Sequence, residues 1–145
     1  MRDWAESGWL RPHKTSREEI AGLLGIADRD LADARRDISA DWRFGIAYNA
    51  ALRLCTILLY VEGYRPERTL QHYRTIQALG LILGPDRKTD VEYLEVCRKR
   101  RNVIEYDAVG TVADREAAEL TRFVVELRGL VLAWLREHRP DLLGS

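Results

Sequence analysis

The densest chemistry in the chain sits in one string: Arg98-Lys99-Arg100-Arg101-Asn102-Val103-Ile104-Glu105-Tyr106-Asp107. Successive residues of an α-helix are turned by about 100°, so four consecutive basic side chains sweep most of its circumference. They cannot share one solvated face. Projected from Val91, residues Leu94, Cys97, Ile104 and Ala108 fall on one side, and Arg101 lands among them. A guanidinium aimed into an apolar face must be paired or must meet a partner, because burying it uncompensated costs on the order of several kcal/mol. Glu105, one turn on, is the nearest local partner, and Asn102 and Tyr106 form a second polar pair beside it. Two outcomes are open. An internal Arg101–carboxylate pair would fix helix register or a dimer interface. Alternatively Arg101 and Asn102, with Arg98, line an anion or RNA-phosphate site, for which arginine's charged planar fork is well shaped.

The other reactive types are few. Of three histidines, His72 falls near Leu79 and Leu83 on the apolar side of its helix. It reads as a core or interface residue, or as an imidazole turned into the Arg101 cleft. His138 lies in the last turn of the final helix, where the helix dipole favours a cation, and His13 carries no pattern. Cys55 and Cys97 sit in apolar helical patterns without disulfide or metal-ligand spacing. Cys97 adjoins the basic run, yet its apolar-face projection makes it an inert buried thiol. There is no glycine-rich phosphate loop, His-Glu-x-x-His, paired CxxC or GxSxG elbow, so no metal or cofactor is implied. The aromatic residues follow core spacing rather than forming a base-stacking platform.

Five segments of helical periodicity must position these residues. The first follows Thr15-Ser16, with Ser16 and Glu19 at capping-box spacing and a stripe of Ile20, Leu24, Ala27, Leu31, Ala34 and Ile38. The second starts near Asp41 and stops at Gly63, with Pro66 beyond. The third covers residues 69–83 and is closed by Gly84-Pro85. The fourth opens with a Thr89/Glu92 capping box and ends near Gly110. The last runs over residues 112–139, burying Leu120, Val124, Leu127, Val131 and Trp134 before Pro140. No segment alternates long enough to be a strand. Short connections predict an all-α fold, a compact antiparallel bundle of about five helices over residues 15–145, preceded by an N-terminal arm over residues 1–14.

The second helix is apolar nearly all round from Phe44 to Val61, as in a helix buried on most sides. Its polar residues Asn49, Arg53 and Thr56 share one stripe with Trp42 and Tyr60. That stripe is either the exposed face or the border of a cleft or oligomer interface. Composition narrows the function classes. The chain has 145 residues, and 23 Lys+Arg balance 23 Asp+Glu. Bulk charge therefore gives no hold on nucleic acid or an anionic membrane, and such a contact needs a local patch. Residues 1–10 contain Arg2, Asp3 and Glu6 and no apolar secretory core, and uninterrupted apolar runs such as Ile57–Val61 are too short to cross a bilayer. A cytoplasmic protein that does not contact membrane is expected.

The Arg101-Asn102 pair in the penultimate long helix, preceded by basic residues and followed by Tyr106-Asp107, resembles the HEPN superfamily of prokaryotic toxin and defence domains. The resemblance extends through Ala40-Asp41-Trp42-Arg43-Phe44, Ala47-Tyr48-Asn49-Ala50-Ala51-Leu52, Gly63-Tyr64-Arg65-Pro66 and His72-Tyr73-Arg74, and spans about residues 16–139. It implies a homodimer with the arginine-bearing helices facing each other across a shared cleft. Many members are metal-independent ribonucleases that need an arginine followed, after about four to six residues, by a histidine. Arg101 matches the arginine and Asn102 the polar residue that often follows it. The histidine position falls on Tyr106, Asp107 or Ala108, and no histidine occurs between His72 and His138. A tyrosine, with a reference pKa of about 10, is a poor general base where a group titrating near neutrality is wanted.

The resemblance thus implies a module that binds RNA, a nucleotide or a protein partner such as an antitoxin or nucleotidyltransferase. Its contacts would come from Arg98, Arg101, Asn102, Tyr106, Asn49, Arg53 and His72, with ribonuclease activity weak or lost. The alternative is an active metal-independent endoribonuclease in which Arg101 stabilises the phosphorane, Asn102 orients it, and Tyr106 or His72 moves protons. A purely structural dimerisation domain is the third reading.

Overall fold

A computed structural model describes residues 1–68, 70–106 and 111–143, the side chains of residues 104–106 excepted. The elements run α1 (Arg2–Glu6), β1 (Leu10–Pro12), α2 (Arg17–Asp33), α3 (Ala40–Val61), β2 (Tyr64–Pro66), α4 (Gln71–Leu83), α5 (Lys88–Tyr106) and α6 (Asp114–His138). Single 3-10 turns, Pro85–Arg87 and Pro140–Leu142, precede α5 and follow α6. The chain is an all-α bundle of five long helices, carrying the short α1 and one two-stranded ribbon.

Helix α3 is the hub, packed against α2, α4, α5 and α6. Its apolar character all round is what that position demands, and eleven of its 22 residues are buried. By length and composition α3 would also be apolar enough to cross a bilayer, although isolated polar residues interrupt every long apolar run. Here most of that surface is covered by the other helices. The helix ends at Val61, and Gly63 adopts φ +96°, a left-handed turn that glycine takes without steric cost.

That turn leads into β2, which pairs antiparallel with β1, Leu10 opposite Pro66 and Pro12 opposite Tyr64. Three-residue strands are too short for an alternating pattern to register in sequence. The N-terminal arm therefore docks on its own chain. Leu10 is buried against Leu59 and Ala78, and Trp9 lies under the Arg74 guanidinium at 4.5 Å. His13, which carries no sequence pattern, ties the arm to the bundle. Its Nε2 donates to Glu19 at 2.7 Å and its ring packs 4.2 Å from Tyr60.

Several helix ends differ from expectation for local reasons. Ser16 caps α2 by accepting from Glu19 N–H at 3.1 Å, but the Glu19 carboxylate accepts from Thr15 and His13 rather than closing a capping box. Helix α2 stops at Asp33, where two tight turns, Arg35 N–H to Ala32 and Arg36 N–H to Asp33, redirect the chain. The buried stripe therefore ends at Ala34, and Ile38 is 39% exposed. Helix α5 begins at Lys88 directly after the 3-10 turn, so Thr89 is already helical and the expected Thr89/Glu92 box does not cap it. In α6 the last buried position is Leu135 rather than Trp134, which is half-buried and stacks on His138 at 4.6 Å. The expected end of the fourth segment, at Gly110, lies outside the described residues, as does Thr69.

Candidate anion site between helices α3, α4 and α5

The basic run in α5 divides as helix geometry requires, each side chain meeting a different neighbour. Arg100 turns toward α6, where it donates to both Glu116 oxygens at 3.2 and 3.4 Å and to the Thr111 carbonyl at 2.7 Å. Lys99 stands in solvent. Arg98 turns back along its own helix to Glu95, at 3.0 to 3.3 Å through Nε and Nη2, and lies 5.7 Å over the Tyr73 ring of α4. Arg101 turns inward. It is half-buried, and its guanidinium carbon sits 5.3 Å from the centre of the Tyr48 ring of α3. Leu94 and Cys97, the apolar residues it projects among, are buried as the projection predicts.

His72 is not a core residue. It is exposed in the first turn of α4, and its ring centre lies 6.0 Å from that of Tyr48. The imidazole thus lies beside the ring over which the Arg101 guanidinium sits. Two guanidiniums, two phenol rings and one imidazole converge from three helices.

Tyr48 is the centre of this cluster. Its side chain is 1% exposed, and its Oη has no hydrogen-bond partner among the described residues. Burial pushes its phenol well above the ordinary tyrosine range, although Arg101 and Arg98 pull the other way. Tyr48 is therefore a neutral hydroxyl, not a base. Arg98 is held as a firm cation, above all by its hydrogen bonds to Glu95. A guanidinium resting face-on against an aromatic ring directs its donors in its own plane, and Arg98 uses its Nε/Nη2 edge on Glu95.

The remaining sequence candidates are placed as follows. Asn102 is exposed, a step of about 100° from Arg101 around α5. The Tyr106 and Glu105 side chains lie outside the described residues. Asn49 is half-buried and Arg53 exposed, turned about 100° and 140° from Tyr48 around α3. Burial raises the Asp30 carboxyl of α2 above its ordinary value, with Arg29 and then Arg53 pulling the other way. Neither Asn49 nor Arg53 is brought to Arg101 by a hydrogen bond, ion pair or ring contact among the described residues. Their stripe is open to solvent at Trp42 and Arg53, while Thr56 donates to the Leu52 carbonyl at 2.7 Å and Tyr60 is covered by His13.

Sequence reasoning did not single out Tyr48, Tyr73 or Glu95. Tyr48 reads as one more core residue of α3, and only the tertiary approach of α5 gives its hydroxyl a charged setting. The thiols behave as read. Cys97 is buried and pushed up to about 11, and Cys55 up to about 12, both chiefly by burial. Among the described residues no group of three or more His, Cys, Asp or Glu side chains is placed to hold a metal ion. No family model, curated protein or solved structure matches the chain.

Proposed function

We propose that this chain is a cytoplasmic HEPN-like module that binds RNA through the phosphate backbone at the Arg98/Arg101 cluster, with ribonuclease activity weak or lost. One observation carries the reading. Two arginines from a single helix rest on two tyrosine rings, Arg101 on Tyr48 and Arg98 on Tyr73, with His72 at the edge. A guanidinium held against a ring loses less freedom on binding an anion than one on a loose chain, and its fork suits a phosphodiester. Asn102 adds an exposed amide on the adjoining face. Val96 and Val103 stand two turns apart on α5, 64% and 40% exposed, and a second copy's α5 would cover them in the proposed homodimer.

Fluorescence anisotropy with a labelled single-stranded RNA of mixed sequence tests this directly. Binding should weaken steeply between 50 and 200 mM salt, and Arg101→Ala should cost about tenfold or more in affinity with an unchanged circular-dichroism spectrum. Equal binding by wild type and Arg101→Ala would refute the proposal. Sedimentation velocity of Val96→Glu tests the dimer, which should become monomeric.

A second reading rests on His72 specifically. An exposed imidazole beside the ring that carries Arg101 supplies the proton carrier missing from α5, and would make the protein a metal-independent endoribonuclease. RNA cleavage in EDTA that disappears in both Arg101→Ala and His72→Ala would establish that reading over the first.

A further inference from the structure

Arginines also gather at a second place, on another side of α3 from Tyr48. Where α2 gives way to α3, an open pocket of about 580 Å³ forms against the first turn of α6. Arg35, Arg36, Arg43 and Arg115 line it, with Asp37 and Asp114 as the opposing carboxylates. The pocket therefore holds a surplus of two positive charges in a chain whose formal net charge is zero. Arg43 is turned about 140° around α3 from Tyr48, so the two arginine groups occupy different sides of the hub helix.

The fold forces this convergence. The tight turns after Asp33 project Arg35 and Arg36 away from α2, and the start of α3 brings Arg43 beside the start of α6. Arg43 forms an ion pair with Asp114, and its side chain is only 18% exposed. Its Nε is buried with no hydrogen-bond partner among the described residues. Arg36 is only loosely engaged, 3.6 Å from Asp33 with most of its side chain in solvent. The N-cap of α6 is Ala113, which offers no side-chain acceptor to the first-turn N–H groups beside the pocket. The dipole of that helix start is offset by the first-turn carboxylates Asp114 and Glu116, so the positive potential of the pocket is that of its arginines.

We propose that this pocket is a binding site for two or more adjacent phosphoryl groups, carried by a free polyphosphate or by successive phosphates of a nucleic-acid strand. Four guanidiniums match the clustered oxygens of such a ligand better than those of a single carboxylate. The ligand meets Arg35, Arg36 and Arg115 first. It then competes with Asp114 for the Arg43 guanidinium. The site is independent of the Arg101 cluster and does not rest on its function.

Isothermal titration with inorganic triphosphate at 50 mM salt supplies the test. Wild-type protein should bind, and Arg35→Ala/Arg115→Ala should lose about tenfold or more in affinity while keeping the wild-type thermal midpoint. Neither residue lies in the packed core, so folding is preserved. Arg101→Ala should bind triphosphate within about twofold of wild type, which separates this site from the one above. The source of the phosphates is read from RNA anisotropy on the same double variant. A parallel loss of RNA affinity assigns the pocket to a strand, and unchanged RNA affinity assigns it to a free polyphosphate. No triphosphate binding by wild type at millimolar concentration, or equal binding by the double variant, overturns the proposal.

Discussion

Replacing Tyr48 by phenylalanine separates what the α3–α5 contact does for stability from what it does for binding. The ring is fully buried and its hydroxyl has no hydrogen-bond partner among the described residues. A buried hydroxyl left unmatched costs roughly 1–3 kcal/mol, and deleting it recovers that cost less the dispersion contacts of one oxygen atom. The net gain should be about 0.5–2 kcal/mol. For a chain of this size each kcal/mol corresponds to roughly 2–4 °C, so the thermal midpoint should rise by about 1–8 °C. The phenylalanine ring keeps its face to Arg101, so the stacking is retained. Tyr48→Leu removes the ring and should lower both the midpoint and RNA affinity. Thermal melts followed by circular dichroism, paired with anisotropy, measure both effects. A midpoint lowered by more than 2 °C in Tyr48→Phe would show that the hydroxyl makes a stabilising contact, and the reasoning would fail.

Four further outcomes are expected. Leu10→Ala should cost about 2–4 kcal/mol in urea titration, because Leu10 is the buried anchor of β1, and should expose residues 1–14 to limited proteolysis. Gly63→Ala should cost about 1–2 kcal/mol although its Cβ would meet nothing closer than 3.9 Å, since the penalty lies in φ +96° and not in space. Glu116 is held below its ordinary value of 4.5, first by hydrogen bonds from Arg100 and then by the Ala113 N–H. A lowered carboxylate contributes stability above its unfolded value and loses it as pH falls through the folded one. Glu116→Gln should therefore flatten the acid limb of the stability curve below about pH 4.5. Native protein at pH 8 should leave both cysteines unreacted with a thiol reagent over minutes and release both on unfolding, in keeping with their burial and raised pKa values.

How much of this is legible in the sequence depends on the range of the interaction. The five long helices are written in local terms: a serine three residues before a glutamate, apolar residues three and four apart, glycines where the chain must turn left-handed at Gly63 and Gly84. The divergence of Arg98, Arg100 and Arg101 is legible too, because it follows from the helical angle alone. What is not written locally is which helix each of them meets. Tyr48 and Arg101 are 53 residues apart, and Glu116 reaches Arg100 only after a connection has been crossed. The ribbon of β1 and β2 escaped for the opposite reason. Three residues per strand leave no period to detect, and the pairing is fixed by Gly63 and by Leu10 finding Leu59 and Ala78.

The placement of arginines around α3 bears on how a chain of zero net charge could hold a polyanion at all. Bulk attraction is absent, so every contact must come from guanidiniums concentrated by the fold. Helix α3 does this twice. On one side Tyr48 gives Arg101 an aromatic floor. About 140° away, Arg43 reaches the start of α6 beside the two arginines of the α2–α3 turn. An aliphatic hub of the same volume would pack as well and fix neither group. The two sites can be tested singly because no residue belongs to both. If RNA binding required both, loss at either one should lower the salt dependence by the phosphates contacted there, a slope change of about 0.7 per phosphate on a single strand. Equal slopes in Arg101→Ala, Arg35→Ala/Arg115→Ala and wild type would show that neither cluster touches the strand.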